Sequence, residues 1–144
     1  MDLEKRVHIL EIAYAGLQVD AVKCFDREGI LDKVTESKRN EQMRMGKLQA
    51  ERFGIQTTQE VFLKLSELFE CSMWSIQEKE NGFVAESKAC KLCAIAKKSG
   101  SASPCYMYCL NPMEGMVKGI NQNSTYDVKE TLWDGQKCKV EVTE

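Results

Sequence analysis

Five of the seven cysteines in this chain lie at positions 90, 93, 105, 109 and 138, and four of them form two close pairs, Cys90-x2-Cys93 and Cys105-x3-Cys109. Thiolates are soft ligands and strong nucleophiles, so thiols crowded in this way point to metal, redox or covalent chemistry. The spacing is one that a tetrahedral zinc ion or an iron–sulfur cluster accepts, which makes Cys90, Cys93, Cys105, Cys109 and Cys138 the expected metal ligands. A catalytic or redox thiol in the same segment is the alternative, with Cys105 or Cys109 as nucleophile and Glu130 as acid/base. Against both stands ordinary burial, because a free cysteine packs as a small hydrophobe. Lys97 and Lys98 could lower the pKa of a neighbouring thiol or form a solvated loop. His8 is the only histidine, so neither a histidine-rich metal site nor a Cys-His relay at the cluster is expected. Cys90-x2-Cys93 is followed by Ala94, which excludes covalent haem attachment. Cys24 and Cys71 fall on helical stripes and read as core.

The elements that must position these residues follow from periodicity. Leu3, Val7, Leu10, Tyr14, Leu17, Ala21 and Cys24 recur at spacings of three and four, which predicts a first helix ending near Gly29. A second, more polar helix is expected from about Leu31 to Phe53, closed by Gly54. Thr57-x2-Glu60 is a capping box opening a third helix with Val61, Phe62, Leu65, Leu68, Phe69 and Met73 on its buried face. The period then falls to two. Trp74, Ile76, Phe83, Ala85 and Ala89 fit one face of a hairpin turning at Asn81-Gly82, with Glu80 opposite Phe83. Residues 90–101 read as a loop. Cys105 and Cys109 share a face of a short helical turn, and Asn111-Pro112 marks the start of another short helix ending near Gly119. A second hairpin turns at Asp134-Gly135. A three-residue loop with Gly135 left-handed pairs Leu132 with Cys138, and sets Glu130 in an apolar stripe within reach of Cys138.

The expected fold is a single α+β domain over residues 1–144. Its helical half (1–73) packs on an antiparallel sheet built from two hairpins in a Cys-rich half (74–144) with a short helix. Apolar residues at 43% and charged residues at 29% place it with globular domains. A net charge of −2 gives no electrostatic footprint for nucleic acid. No apolar run reaches membrane-spanning length, and Met1-Asp-Leu-Glu-Lys-Arg lacks the apolar core of a signal peptide. A cytoplasmic chain with reduced thiols is the expectation.

The segment Thr131-Leu-Trp-Asp-Gly135-x2-Cys138-Lys-Val resembles the ending shared by two related groups, the L-2-amino-thiazoline-4-carboxylate hydrolase-like family and the 4-vinyl-reductase-type small-molecule-binding domains. Cys90 and Cys105 or Cys109 are similar to the hydrolase family's cysteines, and Gly54 to its interhelical glycine. The resemblance runs from about residue 40 to 142. It implies an α+β fold with a pocket between helices and sheet. For the hydrolase family it implies opening of a cyclic thiazoline amidine by water. For sensors of the second group it implies a zinc held by a hairpin Glu, two hairpin cysteines and one upstream. Residue by residue, Cys138 matches the last cysteine, Asp127 the Glu, Glu130 the middle cysteine, and Cys105 the upstream one. The expected function is therefore a small-molecule hydrolase with a cysteine-rich site. A non-catalytic sensor binding a small molecule, zinc or an iron–sulfur cluster is the first alternative. An adaptor forming a homodimer through its apolar helices is the second.

Overall fold

The chain was analysed as a computed structural model that describes residues 1–144. Three helices come first: α1 (Leu3–Arg27), α2 (Leu31–Arg52) and α3 (Thr58–Phe69). The hairpin β1 (Ser75–Lys79) and β2 (Gly82–Ser87) leads into α4 (Lys91–Lys98). A π-helical turn (Tyr106–Leu110) runs into α5 (Asn111–Ile120), and β3 (Thr125–Glu130) and β4 (Cys138–Thr143) complete the fold. The strands form one antiparallel sheet in the order β1-β2-β4-β3. This is the expected α+β architecture, with helices leading and the two hairpins merged in a single sheet.

The sheet is two-faced. Cys138, Val140 and Val142 of β4 are buried, whereas between them Lys139 and Glu141 face outward, joined there by Lys137 bound to Glu86 (2.7 Å) and Lys79 to Glu141 (2.8 Å). Phe62 of α3 ties the helices to the inner face. Its ring meets Trp74 and Phe83 edge-on, at centroid distances of 5.2 and 5.6 Å. Such contacts favour a fixed geometry beyond the area they bury.

α3 begins as expected. The Thr57 hydroxyl accepts the Glu60 N–H (3.2 Å), and the Glu60 carboxylate accepts the N–H groups of Gln56 (2.7 Å) and Thr57 (3.2 Å). Those backbone donors hold the Glu60 carboxyl below its ordinary pKa. Thr57→Ala should therefore cost about 1 kcal/mol, read as a lower denaturant midpoint at unchanged slope. An unchanged midpoint would mean that the cap contributes nothing.

Several local expectations are corrected. The first hairpin keeps the predicted faces but pairs Glu78 with Phe83 and Lys79 with Gly82. Gly82 belongs to the strand, where a Cβ would stand 2.0 Å from the Val142 carbonyl oxygen, so its bareness serves the β2–β4 pairing rather than the turn. Ala89 lies beyond β2 and is exposed. Residues 91–98 are helical because Cys90 acts as N-cap, its Sγ accepting the Cys93 N–H at 3.4 Å, while Leu92 and Ala96 bury one face. Asn111 does not start a new helix, since it lies inside a continuous helix over 105–120. Pro112 has no N–H and its ring would crowd the carbonyl four residues back. The chain widens there to a π-turn, with the Asn111 N–H donating to Tyr106.

The second hairpin is irregular. Val128 pairs with Val140, a bulge follows, and Glu130 pairs with Lys139. The expected Leu132–Cys138 pairing is absent from that register, and Gly135 is not left-handed.

A close helix crossing fixes the interior. At Gly46 a Cβ would stand 1.8 Å from the Gly115 carbonyl oxygen, and at Gly119 one would stand 2.4 Å from the Lys47 nitrogen. α2 and α5 thus meet backbone to backbone. α1 is attached differently: Ala15 and Val19 pack on Leu92 and Ala96 of α4, and the N-terminal half of α1 projects beyond that anchor. No helix is long and apolar enough to cross a membrane.

Candidate functional site

A cavity of about 800 Å³ lies beneath α1, walled by α2, α3, α4, the π-turn and α5. It lies among the helices rather than between helices and sheet, since no strand residue lines it. Its walls are mostly apolar, with Phe53, Leu65, Phe69, Met107, Met113 and Met116 prominent. The α2–α5 crossing draws the floor tight. α1, anchored only through α4, cannot collapse onto α2 and α3, and the space beneath it stays open. Tyr14 bridges the gap by stacking on Phe69 at 5.8 Å.

Polar groups are few. Gln42 donates from Nε2 to the Met107 carbonyl (3.1 Å), which fixes its amide orientation. Its Oε1 is buried against the cavity without a hydrogen-bond partner. An orphaned acceptor of this kind costs about 1–3 kcal/mol. Lys38 lies over the Tyr108 ring at 5.8 Å, and Lys91 reaches Glu11 at 3.5 Å. His8 is on the same wall, where its Nδ1 lies 4.0 Å from Glu11.

The thiols gather at one end of this cavity and in the adjoining core. Cys71, Cys90 and Cys109 line the cavity, while Cys93, Cys105 and Cys138 are buried in the main hydrophobic core. Cys93 and Cys105 lie within hydrogen-bonding reach of each other, and Cys90 and Cys138 are near enough to act on both. Cys71 and Cys90 also line a second, shallower groove of about 660 Å³ on the far side, with Cys93 and Lys97. All seven cysteines are free thiols.

Cys71 is the functional-site residue that the helical pattern misplaces. α3 stops at Phe69 and Glu70 is left-handed (φ 46°), which turns Cys71 off the helical stripe and onto the cavity wall. The change of period at Trp74 is the sequence signal that could have revealed it. Cys24 is half-buried near the end of α1, 3.5 Å from the Arg27 guanidinium and apart from the cluster.

Burial dominates the chemistry of these thiols. It pushes Cys71, Cys105 and Cys138 up to about 11, raises Cys93, and lifts Cys109 well above the ordinary thiol range. Lys97 pulls Cys93 the other way without overcoming burial. Its ammonium is spent elsewhere, donating to the Leu132 carbonyl (2.7 Å) beside the Trp133 ring. At neutral pH the cluster is a set of protonated thiols. Cys109 donates weakly to the Met113 sulfur at 3.8 Å, and Cys138 accepts the Leu132 N–H at 3.3 Å.

No three Cys, His, Asp or Glu side chains are arranged to hold a metal ion. The set Cys90, Cys93, Cys105, Cys109 and Cys138 is brought into one region but turned in two directions, toward the cavity and toward the core. The set implied by the hairpin resemblance is not assembled either. Asp127 is on the solvent face, paired with Lys129. The Glu130 carboxylate accepts the Gln136 N–H at 2.9 Å and fills the space a Cβ on Gly135 would need. Glu130 thus braces the loop between β3 and β4. No protein-family model matches the chain, and no curated protein matches it.

Proposed function

We propose that this chain is a small-molecule-binding domain whose occupant is a largely apolar molecule carrying a hydrogen-bond donor. The observation that carries this reading is the cavity beneath α1, about 800 Å³ in volume and within the range of small-molecule sites. The unpartnered Gln42 Oε1 supplies the acceptor that would orient the ligand. The neutral thiols Cys71, Cys90 and Cys109 add a soft, polarizable wall at one end. The resemblance to the 4-vinyl-reductase-type binding domains agrees in kind.

The thiazoline-carboxylate hydrolase reading requires more of the same residues. Cys105 or Cys109 would attack the ring amidine carbon and Glu130 would move the proton. The raised thiols and the engaged Glu130 carboxylate favour binding over that chemistry.

N-phenyl-1-naphthylamine is a suitable probe because it is apolar and carries one N–H. It should bind saturably at one site, with energy transfer from Trp74 on the cavity wall. Gln42→Leu should weaken binding about tenfold, the loss of one well-placed hydrogen bond. Absence of saturable binding would remove the cavity reading.

A further inference from the structure

We infer that the exposed stripe of α1 is the seam of a homodimer, in which α1 of two copies pack antiparallel and close the mouth of each cavity. α1 carries apolar residues on two faces. One, with Ala15, Val19 and Val22, is buried against the body of the domain. The other is Leu3, Val7, Leu10, Tyr14, Leu17, Ala21 and Cys24. Its spacing alternates strictly between four and three over three heptads. That period of 3.5, rather than 3.6, is the pattern of a helix meeting another helix along its length. The first five of these residues are between 44 and 75% exposed, so the pattern has no partner within the chain.

A second copy is the occupant the pattern fits, because the stripe is complementary to itself. An isologous antiparallel pairing sets Leu10 of one copy beside Tyr14 of the other, Val7 beside Leu17, and the bulky Leu3 beside the small Ala21. The flank of the stripe that faces away from the body carries Arg6 and Asp20, both exposed. Antiparallel packing brings Arg6 of each copy to Asp20 of the other, with Ala13 at the centre. Parallel packing would instead set Arg6 against Glu11, which is already tied to Lys91 of its own copy. Charge therefore selects the antiparallel arrangement. Val7, Leu10 and Tyr14 also rim the cavity, so the same pairing covers its opening. The inference does not depend on what the cavity holds.

Light scattering after size exclusion should give twice the 16.4 kDa of one chain. Leu10→Glu combined with Leu17→Glu should give the single-chain mass with unchanged helix content, since both side chains are mostly exposed. Arg6→Asp and Asp20→Arg should each weaken the dimer about fivefold, and the two together should restore it. A wild-type chain that stays at single-chain mass overturns the inference, including one that binds phospholipid vesicles through this face instead. A dimer that survives both glutamates overturns it as well. A double charge swap that recovers nothing overturns the antiparallel arrangement.

Discussion

Gly46→Ala should cost about 3 kcal/mol or more, at the upper end of what overpacking does. The new methyl would lie 1.8 Å from the Gly115 carbonyl oxygen and 2.9 Å from the Met116 nitrogen. Those atoms are backbone of α5, so no side chain can rotate away. The helices must separate, and every contact along the crossing loosens with them. Domains of this size are stable by roughly 5–15 kcal/mol, so the change removes a large share of the total. Gly16→Ala is the matched control. Gly16 is exposed inside α1 and nothing lies within 4 Å of its added Cβ. There the same methyl should stabilise by about 0.5–1 kcal/mol through helix propensity alone. Chemical denaturation of the two variants measures both signs, and equal effects would show that the crossing is not close.

Stability should also fall steeply between about pH 9 and 11. The groups responsible are Cys71, Cys105 and Cys138, held up to about 11, with Cys93 and Cys109 also raised by burial. Above the ordinary thiol pKa the unfolded chain releases these protons while the folded chain keeps them. The unfolded state then binds fewer protons, and the free energy of unfolding declines as pH rises. Below that pKa the contribution is complete and the profile is flat for these groups. Neighbouring thiols titrate as a set, so their shifts do not add in full; a loss of about 3 kcal/mol by pH 11 is expected. Denaturation midpoints against pH give the curve, and thiolate absorbance of the native protein gives its cause. A flat or rising profile, or full ionisation near pH 9 in the native state, would contradict the buried thiol cluster.

The helical half was readable because its signals are local. Thr57 and Glu60 form their capping box, and α2 stops at Arg52 with Gly54 just beyond, as turn chemistry alone dictates. The two-faced strands were legible for the same reason, since Phe83 and Ala85 face inward whichever register the turn selects. What sequence could not supply were features set by neighbours. Gly82 is required by Val142 across the sheet, and nothing near Asn81 indicates this. The stripe on α1 predicts a helix correctly, yet the face that packs within the chain is the weaker one, through Ala15 and Val19. At the site, the crowding of thiols was visible in the spacing. Their protonation state follows from burial, and the cavity follows from a glycine contact between helices distant in sequence. Glu130 looked chemical because a carboxylate stood in an apolar stripe. A bulge and a bare Gly135 give it a structural task.

The strand order carries a consequence for how the chain acquires its fold. β4 is inserted between β2 and β3 and pairs with β2 across an interval of about fifty residues. Until Cys138–Thr143 leave the ribosome, Phe83, Val84 and Ala85 have one bonded edge and no second neighbour, and the β1–β2 hairpin alone is marginal. α1 to α3 can form early from local contacts, but the sheet that supports Phe62 must wait for a long loop to close. Assembly is therefore late and cooperative, and an incomplete chain exposes the unpaired edge of β2 as a site for association between nascent copies.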